Sequence, residues 1–77
     1  MRILVVDDDR AVREALRRTL TLAGHEVKAV EDGEQALEQI AQALPDAVVL
    51  DIGLPGIDGL EVCRHVRRLG NRVPILS

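Results

Sequence analysis

The stretch ILVVDDDRAV, Ile3–Val12, runs from four apolar residues straight into three acids. A continuous β-branched-rich run without polar alternation is the pattern of a strand buried on both faces, as in a parallel sheet. The acids that follow, Asp7, Asp8 and Asp9, repel one another unless something holds them. The pattern then changes period. Val12, Ala15, Leu16, Leu20 and Ala23 recur at three- and four-residue spacing, which predicts a helix over 10–23 with Gly24 at its C-terminal stop. Asp9 stands where that helix needs its N-cap.

The same alternation continues along the chain. Glu26–Val30 reads as a short strand, with Val27 and either Ala29 or Val30 inward. Asp32 can cap a second helix whose stripe is Ala36, Leu37, Ile40 and Leu44, stopped by Pro45. Ala47–Leu50 is another apolar run, and it too ends in an acid, Asp51. The loop IGLPGIDG follows. In it Asp58 and Glu61 have capping-box-like spacing ahead of a third helix with Val62, Cys63, Val66 and Leu69 on one face. Gly70 ends that helix, and Val73–Leu76 begins a fourth strand with Pro74 near its start. The order β-α-β-α-β-α-β with short connections predicts an α/β domain with a parallel sheet and right-handed crossovers.

Composition narrows the function. The chain has 77 residues, so one small domain at most is expected. It has no Phe, Tyr or Trp, and the core must come from Val, Leu, Ile and Ala. With no aromatic to stack on a base and a net charge of −3, no nucleic-acid surface is expected in this segment. One cysteine, Cys63, rules out an internal disulfide and fits a reducing compartment. No signal peptide or membrane span is apparent, so a cytoplasmic domain without membrane contact is expected. GLPGIDG lacks the Lys-Ser/Thr of a P-loop, and acids occupy the place of a dinucleotide-binding G-x-G-x-x-G. His25 and His65 have no second His or Cys at ligand spacing, so no zinc site is expected.

The acids carry the chemistry. In open parallel sheets, ligands bind beyond the carboxyl ends of the strands, where the strand order reverses. If the first and third strands are neighbours, Asp7, Asp8 and Asp51 meet there. A divalent cation relieves their repulsion, and hard oxygen donors with room for water suit Mg2+. One acid could then act as a nucleophile toward phosphorus. A lone Asp after a strand is more often a cap, but here two strand ends carry acids together.

ILVVDDD followed by VVLDIGLPGIDGLEV resembles the receiver domain of bacterial two-component response regulators, in register along the whole chain. The resemblance implies a doubly wound, flavodoxin-like fold with strand order 2-1-3-4-5, of which this chain would supply 2-1-3-4. It implies that Asp51 is the phosphoacceptor for a sensor histidine kinase. Asp8 would ligate Mg2+ directly, Asp7 mainly through water, and the Gly53 backbone carbonyl would add a further ligand. Pro55 and Gly59 would match the family's loop, with the third helix beginning near Asp58. In the longer parent, a DNA-binding output controlling transcription is expected.

Other features depart from the family. Its hydroxyl residue after the fourth strand and lysine after the fifth have no counterpart; Ser77 falls about two positions too early. Residues 1–77 are therefore expected to be an incomplete receiver, truncated after the fourth strand and lacking the family's fourth helix, fifth strand and fifth helix and any output domain. An open fourth-strand edge predicts self-association or strand exchange. Arg10, Arg13 and Arg17 share one side of the first helix, with Arg18 nearby. They read as a solvated face, or alternatively as a kinase-docking face. Two other functions compete: a structural pairing module that takes no phosphate, and a haloacid-dehalogenase-type phosphohydrolase. The second would use Asp7 and Asp9 as D-x-D, but Ala11 stands where its Thr belongs.

Overall fold

The ILVV run folds as β1 (Arg2–Val6), followed by α1 (Arg10–Leu22), β2 (Glu26–Val30), α2 (Gly33–Gln42), β3 (Ala47–Leu50), α3 (Gly59–Arg68) and β4 (Ile75–Leu76). The computed structural model describes residues 1–51, 53, 54, 56, 59–68, 70 and 72–77. The expectations placed on Pro55, Asp58 and Leu69 lie outside the described residues.

All strand pairs are parallel, in the order β2-β1-β3-β4. The chain steps from β1 outward to β2, then crosses back to the other side of β1 for β3. The order therefore reverses between β1 and β3. The registers Val5↔Ala29, Val5↔Val49 and Val49↔Leu76 put one row of side chains across one face of the sheet. The alternate row, Val30, Val6 and Leu50, faces the other way. That second face carries the main core. Leu4, Val6, Val30, Val48 and Leu50 form one cluster with Ala36 and Ile40 of α2, Val62 and Val66 of α3, and Leu54 and Val73. Ile3, Val5 and Ala47 are buried on the opposite face, where α1 packs against β1 and β2.

Local chemistry sets the helix ends. Asp9 is extended, and its Oδ1 accepts the Val12 N–H at 3.1 Å. Asp32 caps α2 in the same way, accepting the Gln35 N–H at 2.8 Å. At the C-terminus of α1, Gly24 N–H donates to the Thr21 carbonyl and His25 N–H to the Leu20 carbonyl. This is a Schellman motif, and it requires the left-handed φ of +98° that Gly24 adopts.

α1 ends at Leu22, with Ala23 as its C-cap, one residue short of the helix read over 10–23. Two other boundaries differ by two residues, and proline is the reason for both. Leu44 is not part of the α2 stripe: the helix ends at Gln42, and Leu44 is 52% exposed. Pro45 pushes the residue before it out of the helical region, so its effect is felt upstream of the ring. β4 is only Ile75–Leu76, shorter than Val73–Leu76. Pro74 has no N–H to donate, so pairing there is limited to its carbonyl, which accepts the Val48 N–H at 2.9 Å. Val73 is still buried in the cluster, as its apolar side chain requires.

Candidate functional site

β1 and β3 are in register up to Val6↔Leu50, so the residues that follow, Asp7 and Asp51, emerge at the same end of the sheet. The ladder reaches one step further through the backbone. Asp51 N–H donates to the Val6 carbonyl at 2.9 Å, and Asp7 N–H donates to the Val30 carbonyl at 3.2 Å. Asp7 thus sits against β2 and Asp51 against β1, on either side of the reversal point.

One carboxylate oxygen from each of Asp7, Asp8 and Asp51 lies within 4.8 Å of the others. Asp7 and Asp51 are half-buried and Asp8 is exposed. The cluster opens to solvent on the Asp8 side. Among the described residues, no Arg or Lys forms an ion pair with these carboxylates; Arg17 pairs with Glu14 and Arg64 with Glu61. The donors are therefore all hard oxygens, close together and without a protein cation. Cys63, His25 and His65 take no part in the group. That donor set fits a hard divalent cation with waters in its remaining positions.

Each half-buried acid is also held in place. Asp7 Oδ1 accepts the Asp9 N–H at 2.9 Å, and Asp51 Oδ1 accepts the Gly53 N–H at 3.0 Å. Both are side-chain turns that close over two residues. Gly53 lies directly beside Asp51, in the exposed turn after β3. A Cβ on Gly53 would meet only Asp51 Oδ1, at an ordinary 3.6 Å, so any group drawn from residue 53 is its backbone and not its lack of a side chain.

Asp9 is not in the group. Its carboxylate caps α1, as expected from its place after the acidic pair. That removes the second acid that a dehalogenase-type D-x-D would need.

Reading the chain alone missed Arg13. Its charge and spacing read as part of a solvated or kinase-docking face, but it is half-buried, and its Nη1 donates to the Asp7 carbonyl at 2.9 Å. Its neighbours behave differently. Arg17 pairs with Glu14 at 2.8 Å, while Arg10 and Arg18 are exposed. The hydrogen bond from Arg17 holds the Glu14 carboxyl below the usual carboxylate range. The spacing Asp7-x5-Arg13, with Arg13 in the first turns of a helix starting from Asp9, was the available signal. A helical side chain leans toward the N-terminus and so toward the preceding strand end.

No described helix is long and apolar enough to cross a membrane.

Comparison with known proteins agrees with this geometry. The family model of the response regulator receiver domain matches residues 3–77. The response regulator MprA of Mycolicibacterium vanbaalenii is 59% identical over 76 residues, which is 99% of this chain and 33% of that protein. MprA of Mycobacterium avium is equally similar, at 59% over the same length and the same shares. The chain spans about a third of the length of these curated relatives. The BeF3-activated N-terminal receiver domain of Klebsiella pneumoniae RstA superposes with a TM-score of 0.90 at 37% identity, covering 97% of this chain and 63% of that one. The response regulator TrrA of Thermotoga maritima, solved in complex with Mg2+-BeF, gives a TM-score of 0.84 at 46% identity, covering 88% and 59%. With its 2-1-3-4 parallel sheet and acids gathered at the reversal point, the chain belongs to the response regulator receiver domain family of two-component systems.

Proposed function

We propose that Asp51 accepts a phosphoryl group from a sensor histidine kinase, next to Mg2+ held by Asp7, Asp8, Asp51 and the Gly53 carbonyl. The observation that carries this reading is the convergence of the three carboxylates within 4.8 Å at the β1/β3 reversal point. The complex of the similar TrrA with Mg2+-BeF supports it.

The roles follow from the contacts. Asp51 Oδ1 is occupied by the Gly53 N–H, which leaves Oδ2 as the attacking atom. Its P–O bond forms as the P–N bond to the kinase histidine breaks, and the departing imidazole nitrogen takes a proton from water. Asp51 is half-buried, so the product carboxyl-phosphate is partly sheltered. Asp7 is held by its turn to Asp9, and Asp8 faces solvent, where a partner's phosphoryl group arrives. When bound, Mg2+ screens the carboxylates and the phosphoryl oxygens from one another. The acceptor is the protein's own side chain, so this is signalling and not turnover catalysis.

In the same proposal, residues 1–77 supply the β1–β4 part of a receiver. The hydroxyl and lysine that read the phosphoryl group in the family belong to its remaining part, and a DNA-binding output belongs to the longer parent. The segment itself contacts neither nucleic acid nor membrane, and the setting is cytoplasmic.

Incubation with Mg2+ and acetyl phosphate, followed by intact mass spectrometry, tests the acceptor. One acid-stable, hydroxylamine-labile adduct is expected, lost in Asp51→Asn. No adduct at all, or an adduct that persists in Asp51→Asn, overturns the assignment. Turnover of the phosphodonor without accumulated adduct points to a hydrolase instead.

A further inference from the structure

Asp7 is fixed from three directions. Its N–H is bonded to Val30 of β2, its Oδ1 to the Asp9 N–H, and its carbonyl to Arg13 Nη1 at 2.9 Å. The last of these contacts links the acid group to α1. Arg13's own N–H donates to the Asp9 carbonyl at 2.9 Å, so its backbone is locked in the first turn of the helix. Its side chain then folds back over that turn to the end of β1.

The Asp7 carbonyl belongs to the same peptide unit as the Asp8 N–H. That unit is planar, so a hydrogen bond to its oxygen sets its rotation and with it the directions in which both flanking Cα atoms project their side chains. Asp8 is exposed, and no bond to its carboxylate is present among the described residues. Its position is therefore set by its backbone. Arg13 also brings a guanidinium to the edge of an acidic group that contains no cation of its own, without neutralising a carboxylate directly. It donates to a neutral carbonyl and leaves the carboxylate oxygens available.

We infer that Arg13 is a positioning residue for the cation site: by holding the Asp7–Asp8 peptide it aims both carboxylates at the place where Asp51 faces them. This rests on the Mg2+ site proposed above. Groups that orient metal ligands from behind typically change metal affinity by ten- to a hundredfold when removed.

The test is a Mg2+ titration followed by 1H–15N NMR at the Asp8, Asp9 and Gly53 amides, for the unsubstituted protein, Arg13→Met and Arg13→Lys, with thermal midpoints recorded alongside. Arg13→Met is expected to weaken Mg2+ binding by roughly tenfold. Arg13→Lys, which keeps a donor and a charge, is expected to recover part of the loss. In acetyl phosphate labelling, Arg13→Met should need more Mg2+ yet reach a similar rate at saturation. A purely structural arginine would lower the midpoint and leave the Mg2+ affinity of the folded protein unchanged, and that result overturns the inference. If Arg13→Met does not fold, the Arg13 guanidinium resonances of the unsubstituted protein decide. A shift that saturates together with the Asp8 amide supports the assignment, and no response to Mg2+ overturns it. If the unsubstituted protein binds no Mg2+, the cation site itself falls. Equal binding by the unsubstituted protein and Arg13→Met removes only the role of Arg13.

Discussion

The two faces of the sheet are covered unequally. On one, α2 and α3 together bury Ala36, Ile40, Val62 and Val66 against Leu4, Val6, Val48 and Leu50. On the other, α1 alone packs against β1 and β2, and none of its own residues is buried. On the α1-side row, Val5 in the middle of the sheet is 0% exposed, Ala29 and Val49 on either side of it are half-buried, and Leu76 on β4 is 60% exposed. The cause is geometric. A helix about 10 Å wide spans roughly two strands at their spacing of about 4.8 Å, so one helix leaves half of a four-stranded sheet thinly covered. The lesson is that the carboxylate site does not depend on even coverage. It depends on the β1/β3 pair, whose α2/α3-side residues Val6 and Leu50 are each only 1% exposed.

The sharpest way to break this contrast is a matched pair of truncations. Leu4→Ala removes a buried side chain on the α2/α3 side and should cost about 2–5 kcal/mol. Leu16→Ala, on half-covered α1, should cost about 1 kcal/mol, in proportion to its smaller burial. Urea denaturation followed by far-UV circular dichroism measures both. Equal losses would mean that the two faces contribute alike. Next in size is the thinly covered edge. In residues 1–77 taken alone, Leu76 lies 60% exposed on the outermost of the four strands, so concentration-dependent self-association of this segment is expected in sedimentation equilibrium. Leu76→Lys should weaken that association by about tenfold, or ~1.4 kcal/mol. An unsubstituted protein that stays monomeric throughout would show that the exposed row attracts no second copy.

The smallest expected effect lies on the outer surface of α1. The Arg17 hydrogen bond lowers the folded-state pKa of Glu14. A lowered carboxyl pKa contributes stability above the unfolded-state value, and this contribution is lost as the pH falls through the folded-state value. The pair is well exposed, so the contribution is slight. Thermal midpoints of the unsubstituted protein and Glu14→Gln should therefore differ marginally at neutral pH and converge in acid. A difference that grows as the pH falls would mean that Glu14 is not held by Arg17.

Much of the fold was legible because it rests on local chemistry. The caps at Asp9 and Asp32 and the left-handed glycine at Gly24 are each decided within about five residues, so a reader of the chain can see them. The ends of α2 and β4 were read too long because proline acts on the residue before it and on the ladder beside it, and not only where it stands. The acids at the ends of β1 and β3 were visible as a pattern. That they converge depends on which strands are neighbours, which the patterns of separate segments do not specify; the family resemblance supplied it. Arg13 was missed for a related reason. Its charge suggests a solvated face, and only the fold shows its side chain reaching back to the Asp7 carbonyl.

The in-register pairing of Val6 with Leu50 also bears on the thermodynamics of the whole chain. Asp7 and Asp51 are distant in sequence, and an unfolded chain scatters them. Any ion chelated by both is therefore a ligand of the native state alone, and its binding free energy adds to the folding equilibrium, by about 2.7 kcal/mol at a hundredfold excess over its Kd. Filling the cluster would amount to bracing the fold.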